Sequence, residues 1–138
     1  MNALARKILF AADADANAGL LILRVFLGLA MLSHGWGKLF GGLDKFTGFV
    51  ASLNIPFPSL TAFLAAFGES IGALLLAVGL LTRPAAFLIA STMAVAALVA
   101  HAGEGFAAQE TAWLYFFPAV FFLLKGGGRW SLDRLISN

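Results

Sequence analysis

Four apolar stretches, about Gly19 to Leu39, Leu60 to Leu81, Pro84 to His101 and Thr111 to Lys125, constrain this chain more than any other feature. Each approaches the roughly 20 residues that an α-helix needs to cross the hydrocarbon core of a bilayer. The third and fourth are short for a perpendicular span, and the fourth reaches full length only if Glu110 and its neighbours open the helix in the interface. The expected fold is all-α, an integral membrane four-helix bundle, with the lipid bilayer as its first partner. Composition points the same way: 61% of the 138 residues are hydrophobic and 12% charged. A water-soluble domain of this size has too much surface for its volume to hide so many apolar side chains. The chain has no cysteine, so alone it carries no disulfide, thiolate metal site, iron-sulfur ligation or dithiol relay. No basic run interleaved with aromatics suggests nucleic acid.

The charged residues read as topology signals. Lys and Arg are retained on the cytoplasmic side of short loops. With the N-terminus inside, the inner set is Arg6, Lys7, Arg83, Lys125, Arg129 and Arg134, and the outer set only Lys38 and Lys45. Both ends are therefore expected in the cytoplasm, around a bundle over 19–125. The N-terminal segment, 1–18, carries Arg6 and Lys7 and then Asp13 and Asp15 in an Ala-rich run, as an interfacial helix would. A cleaved signal peptide competes, but its apolar core would be short and the two acids sit where cleavage signals are normally uncharged. In the outer loop, Leu43, Phe46, Phe49, Val50 and Leu53 recur at helical spacing between Gly41-Gly42 and Pro56-Phe57-Pro58. A short amphipathic helix is expected there, over the outer mouth of the bundle. At the far end, 126–138, Gly126-Gly127-Gly128 stops the fourth span, and Ser131 can cap a short last helix with Asp133 in its first turn.

Ionisable groups inside spans are costly and mark a site or a structural pair. Arg24, His34 and Lys38 fall within an arc of roughly 80° on the first span, beside Gly28 and Gly35. Glu69 lies near the middle of the second span on a face of small residues, and His101 and Glu110 approach from the third and fourth. With a rise of about 1.5 Å per residue, Glu69 is expected roughly 5 to 6 Å in depth from His34 and roughly 9 to 10 Å from Arg24. His34, Lys38, Glu69, His101 and Glu110 then gather in the outer half as a polar cluster, with Arg24 deeper. Arg24 can equally snorkel to the inner headgroups, and His101 and Glu110 can be plain interfacial residues. Trp36, Trp113, Tyr115 and Trp130 suit the aromatic belts of the two interfaces. Glu69 is hardest to set aside, because a carboxylate at mid-membrane must be paired, protonated or hydrated.

Several chemistries stay open at this point. A quinone or related apolar ring could lie between helices, with His34, Lys38 or Arg24 hydrogen-bonding a carbonyl and Glu69 handling a proton. The cluster could instead be an ion pair that registers a structural subunit against a partner protein. His34, Glu69 and His101 could ligate a metal, although no diagnostic ligand spacing is present. An alternating-access transporter fits least, since no pair of broken helices is evident. Neither homo-oligomerisation nor a redox partner protein is decided by the residues.

The order Leu23-Arg24 to Gly28, His34-Gly35-x-x-Lys38, Gly68-Glu69 to Gly79-Leu80-Leu81-Thr82-Arg83, and Gly128-Arg129-Trp130-Ser131-Leu132-Asp133 resembles the DoxX family of small bacterial membrane proteins. The resemblance spans nearly all of Leu20 to Ile136. It implies a four-helix bundle in the bacterial inner membrane and makes Arg24, His34, Lys38, Glu69 and Arg83 family-typical positions. Family members named for function include a subunit of thiosulfate:quinone oxidoreductase and proteins linked to quinone or thiol-stress tolerance. The implied activity is therefore a small-ligand, quinone-like binding subunit of a membrane redox or detoxification system. The absence of Cys sets this chain apart from relatives that use thiols.

Overall fold

Residues 3–10 and 17–137 are described by the computed structural model. Four of its helices are long and apolar enough to cross a membrane: Ala18–Leu39, Pro58–Val78, Thr82–Ala100 and Phe106–Lys125. They are called spans one to four here. Local chemistry accounts for their ends. Asn17 caps span one by accepting the Gly19 N–H on its side chain at 2.9 Å. Pro58 stands in the first turn of span two, where its missing N–H has no partner to lose. Gly79 ends that span with φ 73°, and the Leu80 N–H reaches back to the Leu75 carbonyl at 2.9 Å, the closure of a Schellman turn.

Span four starts at Phe106 rather than near Thr111, so Gln109 and Glu110 lie inside it and it is 20 residues long. The expected shortness is corrected: a polar first turn is tolerated because it stands in the interface. Span three likewise opens at Thr82, two residues before Pro84, which occupies its first turn.

The lipid-facing surface is apolar all round. Ile22, Phe26, Phe87, Leu98, Leu114 and Leu124 are each more than half exposed, which only a hydrocarbon solvent makes stable. Inside, Leu27, Met31, Leu76, Ile89, Met93 and Phe122 form the buried core. Spans one and two approach most closely. A Cβ on Gly35 would lie 2.2 Å from the Glu69 backbone carbon, and one on Gly28 would lie 2.6 Å from the Ala73 carbonyl oxygen. The two glycines thus seat span one on the ridge Glu69, Ala73 and Ala77, the small-residue contact that membrane helices use in place of a hydrophobic drive.

Two spans carry a π-helical turn, Gly68–Gly72 in span two and Ala96–Ala100 in span three. Such turns widen a helix by a residue and tend to mark functional sites. The short helix Leu43–Ser52 forms in the loop after span one, as its periodicity predicts, and packs on the start of span two. The N-terminal segment is helical over Ala3–Phe10 and packs against span three and the last helix, Leu132–Ser137. The Asp13 and Asp15 part of the expected interfacial helix lies outside the described residues.

Candidate functional site

The bundle holds two polar centres at opposite ends. At the end where the first and last helices meet, Arg24 is 2% exposed. Its Nε donates to the Ala77 carbonyl at 3.4 Å, its Nη2 to the Trp130 carbonyl at 2.8 Å and its Nη1 to the Gly127 carbonyl. One guanidinium therefore ties span one to the end of span two and to the segment after span four. Asp133 completes the knot: its carboxylate accepts the N–H groups of Leu81 at 2.7 Å and Thr82 at 2.9 Å, and its own N–H donates to Gly79 at 2.8 Å. A side chain from the last helix thus caps the start of span three, satisfying donors that a helix N-terminus leaves open. Ser131 Oγ accepts the Arg134 N–H at 3.3 Å and donates to Gly128 at 2.6 Å. Arg83 closes the end of span four by donating to the Leu124 carbonyl at 3.0 Å, and Arg129 is exposed.

At the other end, Lys38 in the last turn of span one bends inward and its Nζ lies 2.6 Å from the Glu69 carboxylate. The Glu69 side chain is 3% exposed and that of Lys38 35%. Lys38 also stands 4.8 Å from the centre of the Phe46 ring, a cation–π contact that ties the pair to the outer-loop helix. The π-turn of span two displays Glu69, and Gly35 brings the backbone of span one against it.

The pair forms a wall shared by two cavities. One, of about 430 Å³, is a groove between spans two and three, roofed by the outer-loop helix and walled by Phe46, Val50, Leu64, Leu88 and Val95. Its lining is apolar apart from Lys38, Glu69 and His101 at one end and the hydroxyls of Thr61, Ser91 and Thr92. Partly exposed Phe87 and Ser91 stand on its lipid side. The second, a chamber of about 140 Å³, is lined by His34, Lys38, Glu69, His101, Thr111 and Tyr115, over a floor that includes Met31 and Met93. The Tyr115 ring lies edge-on to His34, with centroids 5.6 Å apart.

His34, Lys38, Glu69 and His101 therefore share one chamber, while Arg24 and Glu110 do not reach it. Gly35 lies against the backbone of Glu69, and Arg24 against Ala77, eight residues further along span two. Glu69 and Ala77 are about 12 Å apart along that helix, so the Arg24 guanidinium and the ion pair stand at different levels of the bundle. Glu110 is exposed beside a lipid-facing hollow with Phe106, Trp113, Leu114 and Phe117. It stands about 100° around span four from Thr111, which faces the chamber. Among the described residues no three of His, Asp or Glu come together as a metal would require; His101 instead pairs with Glu104, its Nδ1 at 2.9 Å.

The sequence reading missed three contributors. Tyr115 suited an aromatic belt but faces His34. Thr111 lies on the face Ala108, Thr111, Ala112, Tyr115, whose three-four spacing was the available signal. The trans cap by Asp133 had no local signal, because its partners are about 50 residues away in the chain.

These features define a four-span helical membrane protein with a buried, cavity-lining ion pair at one end. The DoxX family matches the chain over residues 19–102, more than half its length. The chain belongs to the DoxX family. The match ends before span four, so the Gly128–Asp133 part of the resemblance lies beyond it. No curated protein and no solved structure matches the chain.

Proposed function

We propose that this DoxX protein binds a quinone-like ring that enters from the lipid between spans two and three and places a carbonyl beside Lys38. The observation that carries this reading is the Lys38–Glu69 pair at the end of the apolar groove of about 430 Å³. The volume falls within the range of small-molecule sites, which are mostly apolar with a few convergent polar groups. A headgroup of one ring fits, with its tail left toward lipid past Phe87 and Ser91. Lys38 can donate to a ring oxygen, and Glu69 can hold or yield a proton there. Reduction of a quinone takes up two electrons and two protons. The residues named here supply a cation and a proton carrier, so the electrons come from a partner oxidoreductase or a diffusing reductant. In the orientation indicated by the Lys and Arg distribution, the site lies in the outer half of a bacterial inner membrane.

Purified protein in lipid nanodiscs, titrated with a short-tailed benzoquinone, tests this. Glu69→Gln and the groove-filling Ser91→Trp are each expected to weaken binding about tenfold or more, the scale of one lost charged contact. Binding that both variants leave unchanged would remove the reading.

A further inference from the structure

Glu69 raises a question of access. Its carboxylate is almost wholly buried, and the groove beside it is walled mainly by apolar side chains such as Phe46, Leu64, Leu88 and Val95, with the hydroxyls of Thr61, Ser91 and Thr92 set among them. Toward the Arg24 end spans one and two present the buried Leu27, Met31, Ala73 and Leu76. Ser70, next to Glu69, is buried too, and its hydroxyl is held by the Ala66 carbonyl at 2.5 Å. On the remaining side lies the chamber of about 140 Å³, several times the roughly 10–15 Å³ that a single water needs. The polar groups facing Glu69 there are Lys38 and His34 from span one, His101 from the end of span three, and Thr111 and Tyr115 from span four. His34 is exposed, and His101 is half-buried and bonded to exposed Glu104. The chamber lining therefore includes both the exposed His34 and the buried carboxylate.

We propose that this chamber is the proton route of Glu69, so that its carboxyl exchanges protons with the aqueous phase at the Lys38 end and not at the Arg24 end. Waters bounded by His34, Tyr115 and His101 carry the proton between surface and carboxylate, and the apolar core closes the opposite direction. The inference deepens the ligand reading by giving the site a side, and its test uses no ligand.

Because the chain has no cysteine, single-cysteine variants of the full chain in oriented proteoliposomes report without background. A small membrane-impermeant methanethiosulfonate added at the Lys38 end should modify Thr111→Cys and Glu69→Cys at least tenfold faster than when added at the Arg24 end. Leu88→Cys, on the groove wall, should react at least tenfold more slowly than Thr111→Cys with that reagent yet readily with a lipid-soluble maleimide. Filling the chamber with Ala108→Phe should slow Glu69→Cys by a similar factor. Ala112→Cys, a small change at a buried position of the chamber lining, should show the same sidedness as Glu69→Cys and keeps the test alive if Glu69→Cys does not fold. Equal rates from the two ends, faster reaction from the Arg24 end, or no reaction until denaturation would each overturn the route. None of these results bears on quinone binding, and a failed quinone titration leaves them standing.

Discussion

Arg24 and Glu69 are both buried charges in a membrane bundle, yet their surroundings differ in kind. Arg24 spends its donors on backbone carbonyls from span two and from the segment after span four, in a tightly filled corner. Glu69 is paired with Lys38, a partly exposed side chain, and borders two cavities. A charge saturated by main-chain groups of several segments fixes how those segments meet. A charge with one flexible partner and open space beside it can change its partner or its proton. Burial alone therefore does not separate scaffold from site; the distribution of partners does.

The largest expected effect falls on the scaffold end. Arg24→Ala removes the guanidinium donor from two buried carbonyls and one part-buried one and should cost about 3 kcal/mol or more, read as loss of folded protein in detergent. Arg24→Lys should rescue it only in part, because an ammonium cannot reproduce the planar fork. Gly35→Ala comes next. Its methyl would sit within 2.2 Å of the Glu69 backbone, and forcing spans one and two apart should cost about 1–3 kcal/mol, with ligand binding weakened as Glu69 shifts. Asp133→Ala removes the trans cap of span three and should cost about 1–2 kcal/mol, measured by thermal unfolding, with binding at the far end unchanged. Glu69→Gln should leave the melting temperature within a few degrees and weaken only ligand binding, by about tenfold or more. If it instead unfolds the protein as Arg24→Ala does, the contrast between the two ends fails. The smallest effect is expected from Thr82→Val. The Thr82 hydroxyl is buried with no hydrogen-bond partner, so replacing it by a methyl should change stability by less than about 1 kcal/mol and in the favourable direction.

The scaffold was legible in the sequence wherever local chemistry decides. Apolar length marks the spans, the Leu43 to Leu53 periodicity marks the outer-loop helix, and Gly126-Gly127-Gly128 marks a stop, whereas Gly79, expected inside the second span, ends it. The site was legible in its residue types, since His34, Lys38, Glu69 and His101 are scarce polar groups in apolar runs. What the sequence left out depends on rotation and depth. Glu110 and Thr111 are adjacent in the chain, yet only Thr111 faces the chamber. Arg24 shares a face with Lys38 on a helical wheel but meets the Gly127 and Trp130 carbonyls, contacts across about 100 residues that no window contains. The π-turns at Gly68–Gly72 and Ala96–Ala100 likewise follow no local pattern in the apolar runs that hold them.

The central claim, that the Lys38–Glu69 end takes a ligand and the Arg24 end holds the bundle together, is tested most directly by an experimental map of the protein in nanodiscs saturated with a short-tailed benzoquinone. Ring density is predicted in the groove between spans two and three, within hydrogen-bonding distance of Lys38 or Glu69, with the Arg24 corner unchanged. Ring density against Arg24 or in the hollow beside Glu110, with the groove filled only by acyl chain, would contradict it.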